Sequence, residues 1–161
     1  MLLIVGHGPS VLSGLGAVID THTVVRLKDG LTSVQRKDSK NWGTRTDFIC
    51  ARSLVFDRSE YPFWLFNDPP KWIEYYQSFR PKHKKPSTGL CAAFCAIDRG
   101  YKEIALIGYD RLLDPLDRKS RKWNEPSMCS LYGHDQRAEH EALMALPANI
   151  IDLVKYEAKE A

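Results

Sequence analysis

The sequence predicts an α/β fold in which a Rossmann-like, mostly parallel sheet is flanked by helices. Near the start, the short apolar run from Leu2 to Val5 leads into a glycine-rich turn and then into a short helix or turn at 11–19. Strand, glycine-rich turn and helix is the plan of the first unit of a nucleotide-binding fold. Farther along, residues 86–110 have the pattern of a capped helix that leads into a buried strand, which is half of a βαβ unit.

The composition is typical of one soluble globular domain spanning residues 1–161. Hydrophobic residues make up 43% of the chain and charged residues 27%, which excludes a disordered protein. The net charge of +3 is too small to indicate nucleic-acid binding by itself. No stretch approaches the roughly 20 apolar residues of a membrane helix, and no signal-peptide pattern is present, so we expect no membrane partner. The four cysteines lack zinc-ligand spacing, and we expect a reduced, cytoplasmic location.

The first half of the chain alternates between strand and loop patterns. β-branched residues predict a second strand at 23–27, and a short apolar run predicts a third at 48–51. The polar stretch 28–41 between them predicts an exposed loop. Aromatic residues at 71–79 recur at nearly helical spacing, which usually indicates core packing. The basic segment 80–85 is most simply a solvated face, although it could also raise the local concentration of an anionic ligand.

The second half contains the best-defined helix and strand. Ser87 and Thr88 are good N-cap residues, because a short side-chain oxygen can accept from an unpaired backbone N–H. Small apolar residues at 90–97 then predict a buried helix, and Gly100 predicts its end. The apolar run that follows, at 103–108, predicts a buried parallel strand.

Less regular patterns complete the chain. The charged, proline-containing stretch 111–126 predicts a lid or a mobile segment. Amphipathic spacing predicts a helix that begins near Asp135 and ends near Leu146. We expect a final strand at 149–154 and a frayed tail at 155–161.

Two turns are candidate ligand sites. The Gly6–Ser10 turn lacks the full dinucleotide fingerprint because residue 11 is valine, but its glycines permit close approach of a phosphate or ribose. A tight turn without a ligand is the alternative. Gly89, at the start of the predicted helix, would let a ligand approach the backbone, where free N–H groups and the helix dipole favour an anion. An ordinary capped loop explains that segment equally well. Arg26 and Arg45 could face an anionic ligand, although an isolated arginine is more often only solvated.

Three groups of residues, in chain order, resemble the motifs of the eukaryotic-type sialyltransferases. The turn Gly6-His7-Gly8-Pro9-Ser10, with segments 19–20, 25–27 and 43–46, is similar to their large sialylmotif. Segment 86–110, from Pro-Ser-Thr-Gly to Ile-Gly-Tyr-Asp, is similar to their small sialylmotif. His134 and Glu139 form a His-x-x-x-x-Glu pattern, similar to the very small motif.

The resemblance implies a variant of the GT-A type glycosyltransferase fold and an inverting, metal-independent glycosyltransferase that needs no cofactor. The donor would be a nucleotide sugar, normally CMP-sialic acid, and the acceptor a hydroxyl of a glycan or another molecule. His134 would be the general base, because the acceptor hydroxyl must lose its proton as it attacks and histidine titrates near neutral pH. A capping or structural histidine is the alternative. Glu139 would orient the ring of that histidine or cap the helix.

The resemblance also implies which residues surround the nucleotide sugar. Backbone N–H groups at a helix start suit the leaving phosphate. The expected contact residues are Gly6, His7, Gly8, Ser10, Arg26, Lys28, Ser87, Thr88, Gly89, Gly108 and Tyr109. No metal ligand is expected.

Two departures from the family pattern keep other functions open. His7 and Lys28 stand where the family has asparagines that contact the nucleotide, so the identity of the donor is open. One alternative is a phage-type glycosyltransferase that acts on a modified base in DNA. Another is a non-catalytic module that binds nucleotides or nucleic acids. The cysteines do not match the family's disulfide cysteines, and we expect no stem or anchor, so the chain resembles a short bacterial or viral relative. An oligomer, in which a partner subunit completes the acceptor site, is compatible with this length.

Overall fold

The computed structural model describes residues 1–27, 33–51, 61–65, 86–114 and 136–160. Within these ranges, six strands form one sheet in which every neighbouring pair is parallel. The strands are β1 (Leu2–Val5), β2 (Thr23–Leu27), β3 (Phe48–Ala51), β4 (Phe63–Leu65), β5 (Glu103–Ile107) and β6 (Asn149–Asp152). This sheet confirms the predicted fold class.

Helices connect the strands on both faces of the sheet. A short 3₁₀ helix, Pro9–Leu12, follows β1. The α-helices of the described ranges are α1 (Gly16–Ile19), α2 (Ser33–Lys37), α3 (Ser39–Trp42), α4 (Thr88–Asp98), α5 (Asp110–Leu113), α6 (Gln136–Met144) and α7 (Leu153–Glu160).

The strand order places a topological switch point between β1 and β5. The order across the sheet is β4-β3-β2-β1-β5-β6, so the chain begins in the middle, moves outward to β4, and returns to the other side of β1. In open parallel sheets, ligands bind outside the carboxyl ends of the strands where the order reverses in this way. The turns after β1 and β5 therefore lie where a ligand site is expected.

Successive side chains along the strands point to opposite faces of the sheet and pack into two separate hydrophobic cores. Leu2 and Ile4 of β1 pack with α4 and α6 on one face, whereas Leu3 and Val5 pack on the opposite face with α1, α3 and α7. A strand that is apolar on both sides is the pattern of a parallel sheet covered by helices on both faces. The continuous apolar runs in the sequence are explained by this double coverage.

Helix α4 is the central helix of the larger core, and local sequence determines both its ends. The Ser87 hydroxyl accepts a hydrogen bond from the Leu90 N–H, at 3.3 Å, which confirms the predicted N-cap. Residues 89–96 are all buried. Gly100 has a φ of +83°, which the left-handed turn after a helix requires. The small residues of this helix let it lie close to the sheet.

Three expectations about secondary structure are corrected. The stretch 28–41 was expected to be a loop, but α2 and α3 occupy 33–42; each is a single turn, too short to show an apolar period. The tail was expected to be frayed, but α7 extends to Glu160 because Leu153 is fully buried and anchors its first turn. The final strand was expected at 149–154, but β6 ends at Asp152 and α7 begins at Leu153.

Several expectations fall outside the described residues. These are the aromatic stripe at 71–79, the basic segment 80–85, most of the charged stretch 111–126, Lys28, His134 and the cap at Asp135. Within the described part of the chain, no helix has the length and apolar character needed to cross a membrane.

We predict that the Phe94→Ala variant loses about 3–5 kcal/mol of unfolding free energy, because the ring lies fully buried in α4 and its removal leaves a cavity. Urea denaturation measures this loss. The matched control is Met144→Ala in α6, whose side chain is 53% exposed and whose removal should change stability by no more than about 0.5 kcal/mol. Equal losses in the two variants would contradict the assigned core.

Candidate functional site

The turns that follow β1 and β5 are joined by backbone hydrogen bonds at the switch point. The Gly6 N–H donates to the carbonyl oxygen of Ile107 at 2.8 Å, and the Gly8 N–H donates to that of Gly108 at 2.8 Å. The Gly108 N–H in turn donates to the Ser10 hydroxyl at 2.8 Å. The two turns therefore form one unit, although about 100 residues separate them in the chain.

Close packing of these turns explains their glycines. A Cβ on Gly6 would lie 2.5 Å from the Gly108 carbonyl oxygen, and one on Gly8 would overlap the Asp110 carboxylate. Gly108 has a φ of +73°, and a Cβ there would lie 2.7 Å from the Gly6 backbone. The sequence suggested that the glycines of the first turn make room for a phosphate or ribose. In the structure, the space beside each α-carbon is filled by the other turn.

Ser10 and Asp110 close the same junction through side chains. The Ser10 N–H lies 3.1 Å from one carboxylate oxygen of Asp110, and the Ser10 hydroxyl donates to the other at 3.0 Å. Ser10 thus both accepts from the β5 turn and donates to it. Asp110 was not among the predicted site residues, because only the fold brings it beside Ser10.

A cavity of about 210 Å³ lies beside this pair, and Ser10 and Asp110 form part of its wall. Its other lining residues are Leu113, Asp114, Asp152, Val154 and Lys155. Carboxylates outnumber the single ammonium group, which itself lies 3.3 Å from Asp152. Such a wall disfavours an anion. The cavity is therefore a poor place for the phosphate of a donor.

The start of α4 is held by a carboxylate from α6. Glu139 is only 3% exposed. One of its oxygens accepts from the Ser87 N–H at 2.8 Å, and the other accepts from the Ser87 hydroxyl at 2.5 Å. In the described residues, no acceptor takes the next two N–H groups, those of Thr88 and Gly89. Where the sequence suggested that Ser87 meets an anionic ligand, the structure has an internal carboxylate.

Tyr109 connects the switch point to the start of α4. Its hydroxyl donates to the Gly89 carbonyl oxygen at 3.1 Å, and burial raises the pKa of Tyr109 well above its usual value. A Cβ on Gly89 would lie 3.0 Å from the Tyr109 ring, so this glycine is explained by the packed ring. The two residues were predicted as nucleotide contacts, and the structure places both in one buried contact.

Helix α6 is fixed at a second point. His140 follows Glu139, and its Nδ1 donates to the carbonyl oxygen of Leu112 at 2.6 Å. Successive side chains of α6 therefore hold both α4 and α5. His134, the predicted base, lies five positions before Glu139 in the sequence and outside the described residues.

Arg26 lies on the opposite face of the sheet and is buried. Its Nη2 donates to the Trp42 carbonyl oxygen at 2.7 Å and to that of Arg45 at 2.8 Å, and its Nε donates to the Thr46 hydroxyl at 2.9 Å. Desolvation lowers the pKa of Arg26 to about 10. The sequence suggested a cation facing a ligand. In the structure, this guanidinium holds the turn between α3 and β3.

Asp20 holds the same turn from the other side. Its carboxylate accepts from the N–H groups of Thr44 and Arg45, both at 2.8 Å, and from the Thr44 hydroxyl at 2.9 Å. Gly43 starts the turn with a φ of +64°. The separate segments that resemble the large sialylmotif therefore meet in one polar network, which gives them a structural role. Arg45 itself is exposed and pairs with Asp47 at 2.7 Å.

His7 is the member of the first turn with an exposed side chain. Its Nδ1 lies 3.5 Å from the Gln35 amide nitrogen, and its ring centroid lies 6.1 Å from that of Trp42.

In the ranges that the structure describes, no group of three or more His, Cys, Asp or Glu side chains has the geometry to hold a metal ion.

No protein-family model matches the sequence, and no curated protein matches it. Solved structures do. A mammalian sialyltransferase in complex with Gal-beta-1-3GalNAc-ortho-nitrophenol is 17% identical, with a TM-score of 0.59 over 94% of this chain and 68% of that one. The chain has a sialyltransferase-like fold. A second mammalian sialyltransferase structure gives a TM-score of 0.58 at 16% identity, with the same coverage of both chains. The Campylobacter jejuni sialyltransferase CstII, in complex with CMP-3FNeuAc, gives a TM-score of 0.48 at 15% identity, over 92% of this chain and 78% of that one.

We predict that Gly108→Ala costs about 2–5 kcal/mol of unfolding free energy, because the new methyl group combines left-handed strain with overlap of the Gly6 backbone. Gly100→Ala is the matched control: its φ is also positive, at +83°, but the space around it is open. That control should lose only the strain of about 1–2 kcal/mol. Chemical denaturation of both variants measures the difference, and equal losses would contradict the packed junction.

Proposed function

We propose that the protein is an inverting, metal-independent glycosyltransferase that moves a sugar, sialic acid or a similar one, from a CMP-linked donor to an acceptor hydroxyl. The observation that carries the proposal is a set of contacts at the carboxyl edge of the sheet, where the glycine turn of the large-motif pattern meets the end of the small-motif segment, and Glu139 of the very-small-motif pattern meets its start. The Glu139 carboxylate bonds Ser87, and the Tyr109 hydroxyl bonds Gly89. Residues that resemble the small and very small sialylmotifs are thus in direct contact beside the switch point.

The fold supports the same function. It is shared with mammalian sialyltransferases at TM-scores of 0.58 and 0.59. One of those structures holds a disaccharide derivative, Gal-beta-1-3GalNAc-ortho-nitrophenol, which supports a glycan hydroxyl as the acceptor in the proposal.

The proposed donor contacts combine the resemblance with the hydrogen bonds that the described residues already make. We assign the leaving phosphate to the N–H groups of Thr88 and Gly89, at the positive end of the α4 dipole. His7, whose side chain is exposed, is assigned to the nucleotide. Lys28 lies outside the described residues and is assigned to the nucleotide from the resemblance alone. The remaining predicted residues are assigned to the shape of the site, because their contacts in the structure are internal: Gly6, Gly8, Ser10, Arg26, Ser87, Gly108 and Tyr109.

The proposed reaction is a single displacement. His134 takes the proton of the acceptor hydroxyl, whose oxygen attacks the anomeric carbon from the face opposite the phosphate. The bond between that carbon and the phosphate oxygen breaks, and CMP leaves with the negative charge on its phosphate. One displacement inverts the anomeric centre. Hydrogen bonds from backbone N–H groups stabilise the developing charge on the leaving group.

We predict that His134→Ala lowers the turnover of CMP-sialic acid with a galactoside acceptor by about 10²–10⁴-fold, the usual contribution of a general base. The affinity for CMP should change by less than about threefold, because the proposed base does not hold the nucleotide. CMP release measures turnover, and titration calorimetry measures binding.

The control for this test is His22→Ala, since His22 lies just before β2, at the amino edge of the sheet. It should keep both turnover and CMP binding. If the His134→Ala variant turned over as fast as the wild type, His134 would not be the general base. A wild-type protein that binds CMP but transfers no sugar would favour a binding module instead, and binding of uridine or guanosine nucleotides alone would change the donor.

A further inference from the structure

The hydrogen-bonding capacity of Ser87 is committed inside the protein. Its hydroxyl has one proton, which goes to Glu139 at 2.5 Å, and the same oxygen accepts from the Leu90 N–H at 3.3 Å. Its N–H goes to the other Glu139 oxygen at 2.8 Å. Ser87 therefore has no donor left for a phosphate.

The two residues after Ser87 are held from both sides. Glu139 fixes the backbone at Ser87, and the Tyr109 hydroxyl fixes it at the Gly89 carbonyl, 3.1 Å away. Thr88 lies between these two anchors and is half-buried. The directions of the Thr88 and Gly89 N–H groups are thus set by a clamp that consists of Glu139 and Tyr109.

The charge of Glu139 excludes a direct role in holding the phosphate. A buried carboxylate at the helix start opposes a second anion there, because like charges repel strongly where water is excluded. Any help that Glu139 gives to a bound phosphate must come from the geometry it imposes on Ser87, not from its charge.

We infer that Glu139 is a positioning residue for the donor phosphate, and that it acts through Ser87 to aim the N–H groups of Thr88 and Gly89. This inference rests on the proposed function. It assigns to Glu139 a hydrogen-bonding role that an uncharged amide can also fill.

Four variants test this inference in the full chain. Glu139→Ala removes the clamp, and its dissociation constant for CMP should rise at least tenfold, with a similar rise in the donor KM and a smaller change in kcat. Glu139→Gln keeps an oxygen for the Ser87 N–H and has an amide that can donate to the Ser87 oxygen, so it should recover most of the affinity. Ser87→Ala should weaken CMP binding several-fold, and the double variant with Glu139→Ala should be no weaker than Glu139→Ala alone.

The matched control is Glu141→Ala. Glu141 lies two positions farther along α6, is exposed, and pairs only with Arg137 among the contacts that the described chain gives it. CMP affinity should equal that of the wild type. Circular dichroism and thermal melting establish that each variant is folded, and Ser87→Ala keeps the test available if Glu139→Ala does not fold.

Amide hydrogen exchange measures, without any ligand, how firmly Glu139 holds the start of α4. The N–H groups of Leu90 and Cys91, in the first turn of α4, should exchange faster in Glu139→Ala and unchanged in Glu141→Ala. Unchanged exchange, or a Glu139→Gln variant as weak as Glu139→Ala, would overturn the inference. If the wild-type protein binds no CMP, the proposed function is overturned, and with it the role of Glu139 towards the donor phosphate. The exchange measurement still shows in that case whether Glu139 holds the start of α4.

Discussion

The contact between the backbones of Gly6 and Gly108 is the constraint on which the rest of the site depends. β1 and β5 are neighbours in the sheet, and their turns can leave its edge side by side only because neither residue has a Cβ. The close approach lets Ser10 bond both Gly108 and Asp110, so that the two turns are locked together. It also fixes the direction in which the chain leaves β5, and this direction places Tyr109 against the start of α4.

On the other face of the sheet, a second buried network of hydrogen bonds also holds a turn in place, the one between α3 and β3. Burying the Arg26 guanidinium costs free energy, in line with its lowered pKa of about 10, and its Nη1 has no hydrogen-bond partner among the described residues. The charge is tolerated because three acceptors, from Trp42, Arg45 and Thr46, converge on the other nitrogens. An apolar residue would avoid the desolvation cost but would leave those acceptors without their donor. The arginine is thus explained by the turn that it holds.

The sequence predicted the elements whose bounds depend on residues that are close together in the chain. The Ser87 cap, the small apolar residues after it and the glycine at position 100 all lie within one stretch, so α4 could be read from the sequence with nearly its observed bounds. The role of Glu139 could not, because its partner Ser87 is 52 residues away and reaches it only through the fold. The packing around the glycines of the first turn could not be predicted either, for the same reason. A glycine shows that space is needed beside an α-carbon, and the sequence does not say whether a ligand or another part of the chain fills it.

The difference between enclosed glycines and exposed side chains bears on His7, one of the two departures from the sialylmotif pattern. Gly6 and Gly108 are enclosed by each other, so substitution there disturbs the junction itself. His7 lies between two constrained glycines, yet its own side chain is exposed, with the Gln35 amide and the ring of the buried Trp42 near it. A replacement at position 7 therefore changes what the turn presents to a ligand while the hydrogen bonds beneath it stay in place. Under the proposed function, donor preference can change at this position without loss of the phosphate site, because the phosphate is assigned to backbone N–H groups of a different element.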